Sequence, residues 1–332
     1  MKADRSRERG KVLRPDPEPY YRKASPPTDL APGWGWAMDE ADLTKIRAQR
    51  SFMVETHMGG IIERVPGFET WRAMTHGMGS RLKEVSPARS RDYVDEALVR
   101  GAGRFEPETL FGEGDLWIRI PDTSTVPWRC ICYLQSTYES GRLGFGTGWL
   151  VSGDTVITAG HNVFSAEGDG WAQTVRVTAG SDAGFAFGET YAEHIDAYPG
   201  WVDSDGKARD CDLGMLKVAD RTLGHRAGWF GFAAFTDADL RTAPLIQSAG
   251  YPAESKPRGT LWFDAGRVTT FDGSFLHYRI DTEKGQSGSP IFFSNNEGQR
   301  WVVATHVYGQ AADNLGLRIT NKVYDAIATW SR

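Results

Sequence analysis

The chain has 332 residues, 40% of them hydrophobic and 24% charged, a balance that fits one large globular domain plus an accessory segment and excludes fibrous and wholly disordered classes. With 38 basic against 43 acidic side chains the net charge is -5, which repels nucleic acid and anionic membranes, so neither is expected as a partner. Three cysteines, Cys130, Cys132 and Cys211, cannot all pair and offer no structural zinc set, and no run reaches the roughly 18 apolar residues of a membrane helix. The basic opening MKADRSRERGKVLRP is followed by no apolar stretch of a secretory signal, so a cytoplasmic location is the default expectation. Residues 1–33 hold six of the 16 prolines among many charges, a composition that cannot bury enough apolar surface to offset chain entropy, and are expected to form a flexible tail. Residues 34–108 are expected to be a small α-rich accessory segment, because Leu43, Ile46 and Phe52 recur near helical spacing and Ser86-Pro87 resembles a helix start. From residue 109 short β-rich runs follow one another, CICYLQ, GTGWLVSG, TVIT, TVRVTAG, LGMLKV, PLIQSAGYP, LHYRI, PIFF and WVVATHVYG, broken by Gly, Asp and Ser. Such spacing argues for a sandwich or barrel, closed by one helix that Thr320 or Asn321 can cap and that sets Val323, Ile327 and Trp330 on one face.

Three windows carry candidate chemistry. GTGWLVSGDTVITAGHNVF (146–164) puts His161 just beyond an apolar strand; DCDLGMLKV (210–218) puts Asp212 directly before an alternating one. GQSGSP (285–290) sets Ser287 in a tight turn whose glycines let backbone amides converge. A serine hydroxyl needs an adjacent base, and that base needs an acceptor that fixes its tautomer; the windows supply one residue for each role. Singly, each is an ordinary strand-end, cap or turn residue; together, in the order His, Asp, Ser, they point to nucleophilic catalysis. That order differs from Ser, Asp, His in α/β-hydrolases, whose G-x-S-x-G elbow also fails at Ser289.

At these residues the sequence resembles the trypsin-like superfamily and, within it, bacterial glutamyl endopeptidases. The resemblance runs over GTGW, TAGH, the D-x-D-L-G strand, SAGYP, IDT followed by GQSGSP, and RITNKVYD, about two thirds of the chain. It implies an all-β core of two antiparallel six-stranded β-barrels of the chymotrypsin type over residues 109–332, with a C-terminal helix and no cofactor or metal. It further implies His161 and Asp212 from the first barrel, Ser287 from the second, and an oxyanion hole from the amides of Gly285 and Ser287. Thr282 and His306 match the positions that hold a P1 glutamate, and Val307, Tyr308 and Gly309 continue the strand expected to pair with substrate backbone. A protonated His306 would add charge to that hold. Asp281 keeps open the alternative of Arg or Lys at P1. Asn162 stands where many relatives place a cysteine, and Gln286 stands where zymogens of this type use an aspartate, so their ion-pair switch cannot operate. EPETLFGEGD resembles the start of mature glutamyl endopeptidases, which implies processing after Glu108 and secretion, at odds with the missing signal. The expected partners are protein or peptide substrates. Two rivals are a catalytically silent peptide-binding relative, disfavoured by the intact triad, and a metal-dependent hydrolase, disfavoured because the seven histidines lack H-E-x-x-H spacing.

Overall fold

The computed structural model describes residues 117–165, 169–182, 188–242, 246–294, 300–309 and 313–332, with the backbone of three earlier strands, Lys11–Val12, Met53–His57 and Gly60–Val65. Six strands make the first barrel: β1 (Ile131–Thr137), β2 (Leu143–Leu150), β3 (Thr155–Thr158), β4 (Thr174–Ala179), β5 (Glu189–Ala197) and β6 (Gly214–Val218). Every neighbouring pair is antiparallel, and the ladder runs β1-β2-β3-β6-β5-β4 and back to β1, so the sheet has no free edge. Both faces of β1, β3 and β6 are largely buried, so these read as apolar runs with weak alternation, whereas β5 alternates buried and more exposed residues. In β1, Cys132 and Leu134 fill the barrel, while Ile131 and Tyr133 turn outward to the cluster shared with the second sheet. Val156 and Ile157 divide in the same way on β3, and Leu216 and Met215 on β6.

The second sheet contains β7 (Ile246–Gly250), β8 (Trp262–Gly266), β9 (Val268–Phe271), β10 (Phe275–Tyr278), β11 (Pro290–Ser294), β12 (Arg300–Gly309) and β13 (Asn314–Arg318). It runs β9-β10-β13-β12-β11-β7-β8. It is rolled like the first, as a half-barrel whose end strands β8 and β9 adjoin at Arg267, in keeping with the chymotrypsin-type architecture expected. β8 and β9 are one strand bent at Arg267, and its two halves pair with different neighbours, β7 and β10. Gly266 allows the bend, since a side chain there would collide with the carbonyl of Arg279. A third cluster, including Ile246, Leu276, Tyr278, Ile291 and Val303, fills this half.

Trp128, Trp149, Phe230, Phe232, Tyr251, Phe263 and Phe292 pack between the two halves. The C-terminal helix Asn321–Trp330 closes the molecule: Thr320 accepts from Val323 N–H as its cap, and Val323, Tyr324, Ile327 and Ala328 are buried. Of the expected tail, Lys11–Val12 pairs with β5. Of the expected α-rich segment, the described part is a β-hairpin, Met53–His57 with Gly60–Val65, whose second strand pairs with Gly231–Ala233. The remaining helical reading of residues 34–108 lies outside the described residues. The three cysteines form no disulfide with one another; Cys130 and Cys132 are buried and Cys211 is half-buried. No helix among the described residues is long and apolar enough to cross a membrane.

Candidate active site

β3 and β6 are neighbours, with Gly214 opposite Thr158, so the residues just beyond the end of one and before the start of the other meet. His161 lies on a 3-10 turn, Gly160–Asn162, after β3, and Asp212 follows the turn Arg209–Cys211 and precedes β6. Asp212 is wholly buried, 0% exposed, and grips His161 twice: Oδ1 accepts its backbone N–H at 2.9 Å and Oδ2 faces its Nδ1 at 2.8 Å. A carboxylate offers acceptors only, so Nδ1 carries the proton and Nε2 is left as the base. Burial pulls the imidazole pKa down, but the charge of Asp212 and its hydrogen bond outweigh this, and the pKa is raised above its ordinary value. Trp201 packs beside His161, ring centroids 6.4 Å apart, in space that Gly160 leaves open; a Cβ there would come within 2.9 Å of Trp201 and 3.0 Å of Asp212.

Ser287 sits in the loop between β10 and β11, partly exposed between buried neighbours. Gly285 (φ 99) and Gly288 (φ 92) adopt conformations that favour glycine, and a side chain at Gly288 would strike the carbonyl of Thr147. The first barrel holds this loop directly. Thr147 N–H and Asn162 Nδ2 both donate to the Ser287 carbonyl, at 2.9 and 2.8 Å, and Thr147 Oγ1 donates to the Gly285 carbonyl at 2.8 Å. Gln286 closes the turn from within, its Oε1 accepting Glu283 N–H at 2.9 Å while its own N–H donates to Glu283 O at 3.1 Å. Sequence reasoning missed Thr147, which lies inside the quoted GTGW run, and took Asn162 only as a missing cysteine. The adjoining Gly146 marks the Asn162 contact, because a Cβ there would come within 2.5 Å of the Asn162 amide.

His306, on β12, is zipped to the same loop: Gly288 N–H donates to its carbonyl and its N–H donates to Ser289 O, both at 2.8 Å. Its ring is 3% exposed, and Nδ1 lies 2.7 Å from Tyr278 Oη on β10, a partner that sequence reasoning did not name. Burial, aided by the nearby His161, lowers its pKa to about 3, and burial raises that of Tyr278, so both are neutral at ordinary pH. The charge assistance expected of a protonated His306 is therefore absent near neutrality. Thr282 Oγ1 lies over Gly309, 3.6 Å from where a Cβ would stand. Asp281 is half-buried, and its backbone N–H donates to Asp264 Oδ2 at 2.9 Å. Val307 is buried, Tyr308 half-buried and Gly309 exposed along the rest of β12.

A closed barrel set against a rolled sheet, with an oriented imidazole on one side and a serine in a glycine turn on the other, defines a serine-type endopeptidase. A model of the trypsin-like peptidase domain matches residues 146–304. The Extracellular metalloprotease of Bacillus subtilis is 30% identical over 236 residues, 70% of this chain and 73% of that protein. The Glutamyl endopeptidase of Bacillus licheniformis is 29% identical over 220 residues, 64% of this chain and 66% of that protein. A solved Glu endopeptidase in complex with MPD shares the fold, with a TM-score of 0.57, 22% identity, and coverage of 66% of this chain and 98% of that one. The chain belongs to the trypsin-like peptidase family and is similar to glutamyl endopeptidases within it. The first relative's name speaks of a metal, and the donors here do not fit one: among the described residues no three His, Cys, Asp or Glu side chains lie together to hold it.

Proposed function

We propose that this peptidase cleaves internal peptide bonds through an acyl-enzyme formed on Ser287, with a preference for Glu at P1. The observation that carries the proposal is the two-point hold of His161 by a buried carboxylate, beside an Asn162 amide bonded to the carbonyl of Ser287. His161 Nε2 takes the Ser287 hydroxyl proton as Oγ attacks the scissile carbonyl, and Asp212 stabilises the imidazolium that results. The N–H groups of Gly285 and Ser287, bonded to no acceptor among the described residues, receive the oxyanion. The imidazolium then protonates the departing amine. Water, deprotonated by His161, attacks the ester, and the proton returns to Ser287.

The preference for Glu rests on His306 and Thr282. With the Tyr278 phenol donating to Nδ1, the neutral His306 ring carries its proton on Nε2 and offers it, with the Thr282 hydroxyl, to a substrate carboxylate. A neutral donor pair binds a carboxylate without pairing its charge, and the name of the licheniformis relative supports the same choice. The end of β12, half-buried at Tyr308 and exposed at Gly309, is the strand on which substrate backbone adds. Residues 109–332 form the peptidase unit in this reading, and residues 1–108 a segment released by cleavage after Glu108, which amino-terminal sequencing of active material checks. Cleavage of a peptide library tests the specificity: Glu should dominate at P1. Dominance of Arg or Lys would instead assign the site to Asp281, and no cleavage that depends on Ser287 would overturn the reading altogether.

A further inference from the structure

Arg119, Arg142, Arg221 and Arg226 each reach a carboxylate on the surface. Arg209 does not: it is exposed and makes no ion pair or side-chain hydrogen bond among the described residues. What holds it is a ring. Its guanidinium carbon lies 4.7 Å from the centroid of Tyr308, a stacking that leaves the N–H groups at its edge free to bond elsewhere. Its backbone is fixed as well, because Arg209 opens the turn Arg209–Cys211 and the N–H of Asp212 donates to its carbonyl at 3.3 Å. Asp212 is no counter-ion for it, being 0% exposed with both oxygens bonded to His161. Tyr308 also sets its ring 6.1 Å from that of His161. This half-buried ring is thus bordered by an imidazole and by a cation that has no anion.

Tyr308 stands on β12, the strand along which substrate backbone adds in the reading above. Successive side chains of an extended peptide point to opposite faces. When P1 turns to His306 and Thr282, P2 turns away from them, toward the first barrel, whose turns supply His161 and Arg209. We infer that Arg209 is a specificity-determining residue that selects an acidic side chain at P2, so that the preferred substrate is a peptide with consecutive carboxylates at P2 and P1. The inference rests on the reading of β12 and of P1 proposed above.

Two peptides that share Glu at P1 and differ only in Glu or Gln at P2 test it with the full chain. The parent should favour Glu at P2 by about three- to fivefold in kcat/KM, the scale of a single exposed ion pair, and mainly through KM. The ratio should fall to about one in roughly 1 M salt, where charges are screened within about 3 Å. Arg209→Gln should abolish the preference. Arg209→Glu should reverse its sign and favour Lys over Gln at P2, which loss of a merely structural arginine would not do. Arg258→Gln is the control: Arg258 is also exposed and stacked on a ring, 4.3 Å from the centroid of Phe145, and its loss should leave the ratio unchanged. A parent ratio near one, a preference that survives Arg209→Gln, or an equal loss in Arg258→Gln overturns the inference. The two possible failures differ. Equal cleavage of both peptides after Glu removes Arg209 alone, whereas no Ser287-dependent cleavage after Glu in either peptide removes the proposed function and this inference with it.

Discussion

Two imidazoles, one from each half of the molecule, have surroundings that drive them in opposite directions. His161 has a carboxylate partner and a side chain 30% exposed, and its pKa is raised; His306 has a phenol partner and is 3% exposed, and its pKa is lowered to about 3. Both lose solvation, so burial alone does not separate them. The charge of the partner does: an anion repays the desolvation of an imidazolium, and a neutral hydroxyl does not. The first histidine is thereby suited to accept a proton, the second to remain a neutral donor across the working pH range.

The comparison can be broken most severely at its anion. Asp212→Asn keeps the shape and removes the charge, so kcat/KM should fall by about 10⁴-fold. The acid limb of the pH profile of the residual activity should shift downward, because the interaction that raises the His161 pKa is gone. A limb that stays in place in this variant would mean that Asp212 does not set the base.

A change on the other side should spare the base. His306→Gln should lower discrimination for Glu over Gln at P1 by about a hundredfold, the scale of losing a buried hydrogen bond to a charged group, and leave the acid limb in place. The same variant sharpens the linkage argument. Between pH 6.5 and 3 the unfolded chain protonates this histidine and the folded chain does not, so its contribution to stability is full above 6.5 and lost as pH falls, by about 1.4 kcal/mol per unit. His161 has the opposite sign: its raised pKa favours folding at low pH, and that contribution is lost as pH rises through the folded value. Urea unfolding across this range should therefore show a shallower loss in His306→Gln than in the parent.

The smallest change tests the contact between the halves. Gly146→Ala places a methyl within 2.5 Å of the Asn162 amide, which must swing away from the Ser287 carbonyl. A cost of about 1–3 kcal/mol is expected, read as a lowered midpoint in thermal unfolding, together with reduced turnover. Unchanged turnover would show that Asn162 does not help to hold the Ser287 loop.

The candidate site was legible in the sequence where a residue type and its local turn carry the information. His161 after an apolar strand, Asp212 before one and Ser287 among glycines each stand in the local setting that their windows suggest. The cap at Thr320 and the buried face of the last helix follow from short-range rules as well. What was not legible depends on contacts between distant strands. Thr147 and Asn162 acquire their contacts with the Ser287 loop only when the two halves meet, and Tyr278 reaches His306 only when distant strands of one sheet come together. The protonation state of His306 is of the same kind, since it follows from burial by strands far away in sequence. The bend at Arg267 joins two short runs into one strand serving two neighbours, which alternation alone does not reveal. At Met53–His57 and Gly60–Val65, β-branched residues (Val54, Thr56, Ile61, Ile62, Val65) flanking a Gly59-Gly60 pair were overlooked in favour of the helical spacing of Leu43, Ile46 and Phe52.

The most direct test of the account is whether a single serine is made nucleophilic by the gripped imidazole. The purified chain treated with a fluorophosphonate and mapped by mass spectrometry should carry one adduct, on Ser287, lost in Ser287→Ala and formed at a rate that falls as pH drops through the raised pKa of His161. An adduct on another residue, or labelling indifferent to both the substitution and the pH, would contradict it.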